Sequence, residues 1–328
     1  MAWPHRETDW HYCLEEIERD YIELAAAIAG DVPPVILCRD EAHRDHVGAM
    51  LDSRCNAILI VRPYNDTWCR DYGPLTLQKG EGDLQLLDFT FDGWGQKYRA
   101  NLDNEINRGL ADCWQAPLNT IDFEMEGGSI ETDGCGTLLT TGRCLLQSQR
   151  NRGLSRDQIE ELVLAKLGLK RALWVNEGML MGDDTDSHID NLARFCDART
   201  IAFATCDDPA DPHYEPFQKM EKELKSFTTM EEEPYRLVPV PIPPPQLEED
   251  GERLPASYVN FLILNRRVIM PCFDCARDEE AKAALQSCFP HKEVVMTPGR
   301  QLIRQFGGPH CATMQLPHGV LKPEVLSP

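Results

Sequence analysis

Ser129-Ile-Glu-Thr-Asp133-Gly-Cys-Gly136-Thr-Leu-Leu-Thr-Thr-Gly-Arg-Cys-Leu-Leu146 holds two short apolar runs separated by a glycine-containing turn. That pattern reads as a strand hairpin. Nine residues on, Ser155-Arg-Asp-Gln158 has the Ser-x-x-Gln form of a capping box, in which serine and glutamine satisfy each other's backbone amides. It predicts a helix from Ser155 to Leu167, with another strand to follow. The unit is therefore hairpin, helix, strand.

Moving outward in both directions, the same unit recurs. Hairpins are expected over Asp71 to Phe91, Asn191 to Thr205 and Tyr258 to Pro271, the first turning at Lys79-Gly-Glu-Gly82. A helix follows each: Tyr98 to Trp114, His213 to Phe227 and Arg277 to Cys288. A fifth helix, Trp10 to Ile28, lacks a hairpin before it. Met1-Ala-Trp3 and Cys311-Ala-Thr-Met-Gln315 could supply the missing strands from the two ends. Five repeats with one split across the termini imply a closed ring within a single domain, residues 1–328. Periodicity alone leaves an ordinary alternating α/β domain open. The acidic and proline-rich stretch Glu231 to Asp250 reads as an extended loop or edge strand, not a domain boundary.

The bulk numbers exclude several classes. A net charge of −21 disfavours nucleic acid and anionic membranes as partners. No run of about 18 apolar residues predicts a membrane span, and Met1 to Trp10 lacks the basic and apolar regions of a secretory signal. The 13 cysteines are odd in number, and Cys272-Phe-Asp-Cys275 is the one CxxC. No second pair completes a zinc site. The expectation is a reduced, cytoplasmic protein whose thiols are mostly buried, with one a candidate nucleophile.

Four corners of the repeat carry polar clusters: Asn65-Asp-Thr-Trp-Cys-Arg-Asp-Tyr-Gly-Pro74, Glu126-Gly-Gly-Ser129, Asp183-Asp-Thr-Asp-Ser-His-Ile-Asp190 and Gly307-Gly-Pro-His-Cys311. Taken singly, each has a structural explanation: an ion pair, a turn, a solvated loop, a core thiol. All occupy the same point of the repeat, which a closed ring would bring to one mouth. Asp71, Glu126 and Asp190 would repel one another unless a cation lay between them. Guanidinium meets that need, because its planar fork accepts bidentate carboxylates and stays charged. Its carbon is a poor electrophile. Carboxylates that pin the charge would turn that carbon towards a soft nucleophile, and a cysteine thiolate suits the attack. A histidine can move the protons near neutral pH.

At these motifs the chain resembles the agmatine deiminases and, more broadly, the peptidylarginine-deiminase-like group of guanidino-modifying enzymes. The matching residues are Asp66-x-Trp68-x-Arg70-Asp71-x-Gly73-Pro74, Glu126-Gly-Gly-Ser129, Thr185-Asp-x-His-x-Asp190-Asn191 and Tyr258-x-Asn260. Gly-Gly-x-His-Cys311 with Gln315-x-Pro317 completes them, in the family's order. The resemblance implies a five-bladed α/β propeller, the pentein fold, and deimination of agmatine to N-carbamoylputrescine and ammonia. It implies that Cys311 attacks through a thiouronium intermediate and that His188 is the general acid and base. Asp71 and Asp190 would grip the guanidinium, while Glu126 assists proton transfer. Trp68 and Asp184 would hold the aliphatic chain and distal amine. No metal or organic cofactor is implied, and a homodimer is compatible with an extended edge at the split blade. The chain departs from the family in beginning almost at Trp3 and in carrying Pro309 before His310, where Ile is more usual.

Three rivals stand beside this reading. A peptidylarginine deiminase would share the chemistry but need an open cleft. A manganese ureohydrolase would use Asp186-Ser-His-Ile-Asp190 as metal ligands, but its Gly-Gly-x-His should precede that motif, and here Gly307-Gly-Pro-His310 follows it. A non-catalytic polyamine binder would need neither Cys311 nor His188.

Overall fold

The computed structural model describes residues 1–51, 55–80 and 82–326. Glu81, within the expected turn at Lys79 to Gly82, lies outside the described residues. Contacts divide the chain into two compact units, one of Met1–Gly127 with His310–Pro328, the other of Gly128–Pro309.

In the first unit, helix Leu14–Ala29 buries Ile17, Tyr21, Leu24, Ala25 and Ile28. Their spacing of three and four residues lays them along one stripe. Each large side chain so buried contributes about 1.5–3 kcal/mol. Strand β1 (Val35–Cys38) pairs in parallel with β2 (Ile58–Val61), from Val35↔Ile58 to Cys38↔Val61. Helix Glu41–Met50 joins them, its Asp40 side chain accepting from the His43 amide. Ala2 adds a parallel bridge to Leu37, with the Trp3 amide donating to the Leu37 carbonyl at 3.1 Å. Met1 to Trp3 thus pairs with this sheet as the sequence predicts. Residues 311–315 do not form the second expected strand, being turn and irregular chain. The carbonyls of His310, Cys311 and Ala312 accept from Arg70 and Cys69 instead of entering a ladder.

The unit's second sheet runs β3 (Leu75–Lys79), β4 (Asp83–Thr90), β5 (Leu118–Glu124), with β3 antiparallel and β5 parallel to β4. A continuous helix from Tyr98 to Trp114 is not found. The segment makes a 3-10 turn, Asp103–Glu105, and one helical turn, Ile106–Gly109. Its polar side chains are committed elsewhere: Asn104 accepts from the Phe91 amide, and Asn107 donates to the Tyr72 carbonyl and to Asp88.

The second unit repeats the three-stranded arrangement three times, as β6–β7–β8 (Ile130–Thr132, Thr137–Thr141, Arg171–Val175), β9–β10–β11 (Ala193–Asp197, Thr200–Thr205, Arg236–Pro241) and β12–β13–β14 (Leu262–Ile263, Arg267–Cys272, Glu293–Pro298). In each sheet the hairpin's second strand lies in the middle and the third strand returns parallel to it. The intervening helices are Arg156–Leu167, Tyr214–Leu224 and Arg277–Cys288. The capping box at Ser155 and Gln158 is formed. The proline-rich segment supplies edge strand β11, with Pro239 opposite Phe203. No described helix is long and apolar enough to cross a membrane.

Candidate active site

In the first unit the site residues gather around one helical turn, Cys69–Tyr72, whose residues are all buried. The chain enters it through a reciprocal clasp. Asp103 Oδ1 accepts from the amides of Asn65 (2.6 Å) and Asp66 (3.2 Å), and Asn65 Oδ1 accepts from the Leu102 amide at 2.7 Å. Such side chains satisfy loop backbone that no ladder can reach. Burial, with repulsion from Asp66 second, pushes the Asp103 carboxyl up to about 8. Trp68 precedes the turn and packs against Trp10, ring centres 5.8 Å apart.

The turn seats the cysteine segment. The Arg70 amide donates to the Cys311 carbonyl at 3.1 Å, and the Cys69 thiol to the Ala312 carbonyl at 3.2 Å. The Arg70 guanidinium donates to the His310 carbonyl, to Met314 Sδ and to the Gln315 side chain. Arg70 is thus an organiser of the segment around Cys311 rather than a surface ion-pair residue. Cys311 is 3% exposed and Asp71 4%. On the opposite side Gly127 lies against the same turn, where a Cβ would fall 2.1 Å from the Arg70 carbonyl oxygen. Glu126, buried beside it, is thereby held next to the helix that carries Asp71.

The sequence reading missed Trp94. Its indole N–H donates to Asp71 Oδ2 at 2.9 Å, and its ring meets Phe91 and Tyr98 edge-on. Gly93, Trp94, Gly95 and Gln96 all have positive φ. That backbone is costly for Trp94 and Gln96, a strain of the kind that collects at functional sites. The Gly-Trp-Gly spacing was the visible signal. Its target, 23 residues earlier, was not.

In the second unit, Asp184, His188 and Asp190 lie on one loop that ends in the 3-10 turn Ile189–Asn191. The Asp183 carboxylate accepts from the Thr185 hydroxyl (2.6 Å) and the Ser187 amide (2.7 Å), while burial raises its pKa. Thr185 Oγ1 accepts from the His188 amide at 3.1 Å. His188 and Asp190 are fully buried, whereas Asp184 is half-buried. Asn260, singled out in the sequence, donates to Asn191 Oδ1 at 3.0 Å, and the Ser257 hydroxyl donates to the Asn191 carbonyl at 2.8 Å. A buried Arg194 pairs with Glu131, donates to the Phe261 carbonyl and stacks over the Phe261 ring. It ties the strand after the histidine turn to the segment after Asn260.

Comparison with known proteins bears on both units. Residues 1–317 match the family model of the Porphyromonas-type peptidyl-arginine deiminase. The agmatine deiminase of Ectopseudomonas mendocina is 35% identical, over 97% of this chain and 92% of that protein. Among solved structures, a substrate-bound Cys-to-Ser variant of the C. jejuni agmatine deiminase is 35% identical. It covers 95% of this chain and 90% of its own, with a TM-score of 0.89. The agmatine deiminase of Enterococcus faecalis is 26% identical, covers 98% and 93%, and has a TM-score of 0.91.

Proposed function

We propose that this chain, which belongs to the Porphyromonas-type peptidyl-arginine deiminase family, hydrolyses agmatine to N-carbamoylputrescine and ammonia through a covalent intermediate on Cys311. Among the described residues its five small sheets with interspersed helices are of the pentein type, and its chemistry is agmatine-deiminase-like hydrolysis of a guanidino C–N bond. The observation that carries the residue assignment is the seat built on Cys69–Tyr72. A buried thiol segment is hydrogen-bonded to the residue immediately before a buried carboxylate, and that carboxylate is aimed by Trp94.

On this reading Asp71 and Asp190 hold the guanidinium nitrogens and expose the carbon to the thiolate. Attack by Cys311 Sγ forms a C–S bond and a tetrahedral adduct. His188 gives a proton to the departing nitrogen, the C–N bond breaks and ammonia leaves a thiouronium. His188 then takes a proton from water as it adds to the same carbon. Collapse breaks the C–S bond, restores the thiolate and releases the ureido product. Glu126 assists the proton movements, and Trp68 and half-buried Asp184 hold the aliphatic chain and distal ammonium. No step calls for a metal or organic cofactor.

The test is incubation of the purified protein with agmatine, following ammonia and carbamoyl product beside a Cys311→Ala control. Ammonia with a ureido product, lost in the control, is expected. Urea in place of ammonia would overturn the reading and restore the metal ureohydrolase. Turnover of arginyl peptides but not agmatine would reassign the substrate within the same chemistry.

A further inference from the structure

Arg150 has a side chain with no exposure to solvent, and its guanidinium spans two acceptors on the loop that carries His188. Its Nη1 donates to Asp186 Oδ2 at 2.7 Å and its Nη2 to the Thr185 carbonyl at 3.3 Å. Between that grip and His188 the backbone does something unusual. Asp186 and Ser187 have φ of 66° and 69°, two consecutive non-glycine residues in the left-handed region. Side chains disfavour that conformation, so it persists only where surrounding contacts over-determine it.

The contacts are present on every side of the turn. Asp183 accepts from the Ser187 amide, and the Thr141 hydroxyl donates to the Ser187 carbonyl at 2.7 Å. Thr185 accepts from the His188 amide. Arg150 closes the remaining side, and it is the one cation in this set. Its planar fork serves a carboxylate and a carbonyl together, which a lysine's single ammonium would not reproduce in the same geometry.

We infer that Arg150, through Asp186, is a positioning residue for His188: it holds the left-handed turn whose next residue is the general acid and base. The inference rests on the deiminase reading above, because it needs His188 to move protons in the reaction. Arg150 lies in the turn-rich stretch before helix Arg156–Leu167, and the acidic run 183–186, taken alone, reads as a solvated loop. Asp186 is instead the partner of a buried guanidinium.

The experiment is steady-state agmatine turnover by Arg150→Lys and by Asp186→Asn, each made alone, together and in a His188→Ala background. Asparagine tolerates the left-handed region, so Asp186→Asn removes the ion pair while keeping the backbone accessible. Either variant is expected to lower kcat at least tenfold while KM changes by less than threefold, and the double variant to be no worse than the poorer single one. In the His188→Ala protein, Arg150→Lys should leave the residual rate unchanged. Unaltered kcat in both variants, or the same loss with and without His188, would overturn the inference while wild-type turnover left the deiminase reading intact. A wild-type protein inert towards agmatine, arginine and arginyl peptides would instead overturn that reading, and this inference with it.

Discussion

Replacing Asp103 by asparagine should make the protein more stable at neutral pH, although it removes a buried carboxyl from a structured clasp. The carboxyl's pKa is pushed to about 8 in the folded chain, against 3.8 unfolded. A carboxyl shifted upward binds its proton more tightly in the native state. Its contribution is fully present below the unfolded pKa and is lost as pH rises towards the folded one. Between pH 5 and 7 the folded carboxyl stays protonated while the unfolded one ionises. Wild-type stability then falls by roughly 2–3 kcal/mol from this group alone, at about 1.36 kcal/mol per pH unit. Asparagine keeps the oxygen that accepts from the Asn65 and Asp66 amides and cannot ionise. Urea unfolding followed by tryptophan emission suits the measurement, because five of the six tryptophans, all but Trp174, lie in the unit containing Asp103. The stability difference between Asp103→Asn and wild type should widen by that amount from pH 5 to pH 7. Parallel pH dependences for the two proteins would refute the reasoning, as would an Asn variant that loses stability at pH 7.

Two further substitutions probe the site's scaffolding. Trp94→Phe keeps the edge-on contacts with Phe91 and Tyr98 but deletes the N–H on Asp71. A hydrogen bond to a charged group is worth about 1.5–3 kcal/mol, so KM for agmatine should rise at least tenfold with little loss of melting temperature; an unchanged KM would show that Asp71 needs no aiming. Gly127→Ala forces a methyl into the Arg70 carbonyl. It should cost about 1–3 kcal/mol by overpacking and reduce the rate at which iodoacetamide-sensitive activity is lost, since the Cys311 segment hangs on that turn; wild-type stability and alkylation kinetics would argue against the shared seat.

Much of the architecture was legible because it rests on local periodicity. The hairpin at 129–146, the capped helix after Ser155 and helix Arg277–Cys288 formed where apolar spacing and turn residues put them. The failures share a cause. From Tyr98 to Trp114 the apolar spacing suits a helix, but Asp103, Asn104 and Asn107 make hydrogen bonds to the backbone of Asn65, Phe91 and Tyr72, 38, 13 and 35 positions away. Those bonds compete with the helical ones, and no local window reveals them. Residues 311–315 read locally as a strand, but the carbonyls of Cys311 and Ala312 accept from Arg70 and Cys69, about 240 positions earlier. The polar clusters stand out in the sequence as candidates, whereas nothing local marks Trp94 and Arg150, which hydrogen-bond to Asp71 and Asp186 from 23 and 36 positions away.

The unit that seats Cys311 joins two distant stretches of the chain, residues up to 127 and those from 310 onward. During synthesis, its N-terminal part must wait while some 180 intervening residues are made. Arg70, Gly127 and the clasp at Asn65 are made before that stretch, and the carbonyls that Arg70 and Cys69 address are made after it. Closing so long a loop is entropically costly and slows folding. The seat of the cysteine segment thus forms only when that loop closes, and a chain cut before residue 310 keeps Arg70 and Asp71 but lacks the segment whose carbonyls Arg70 addresses.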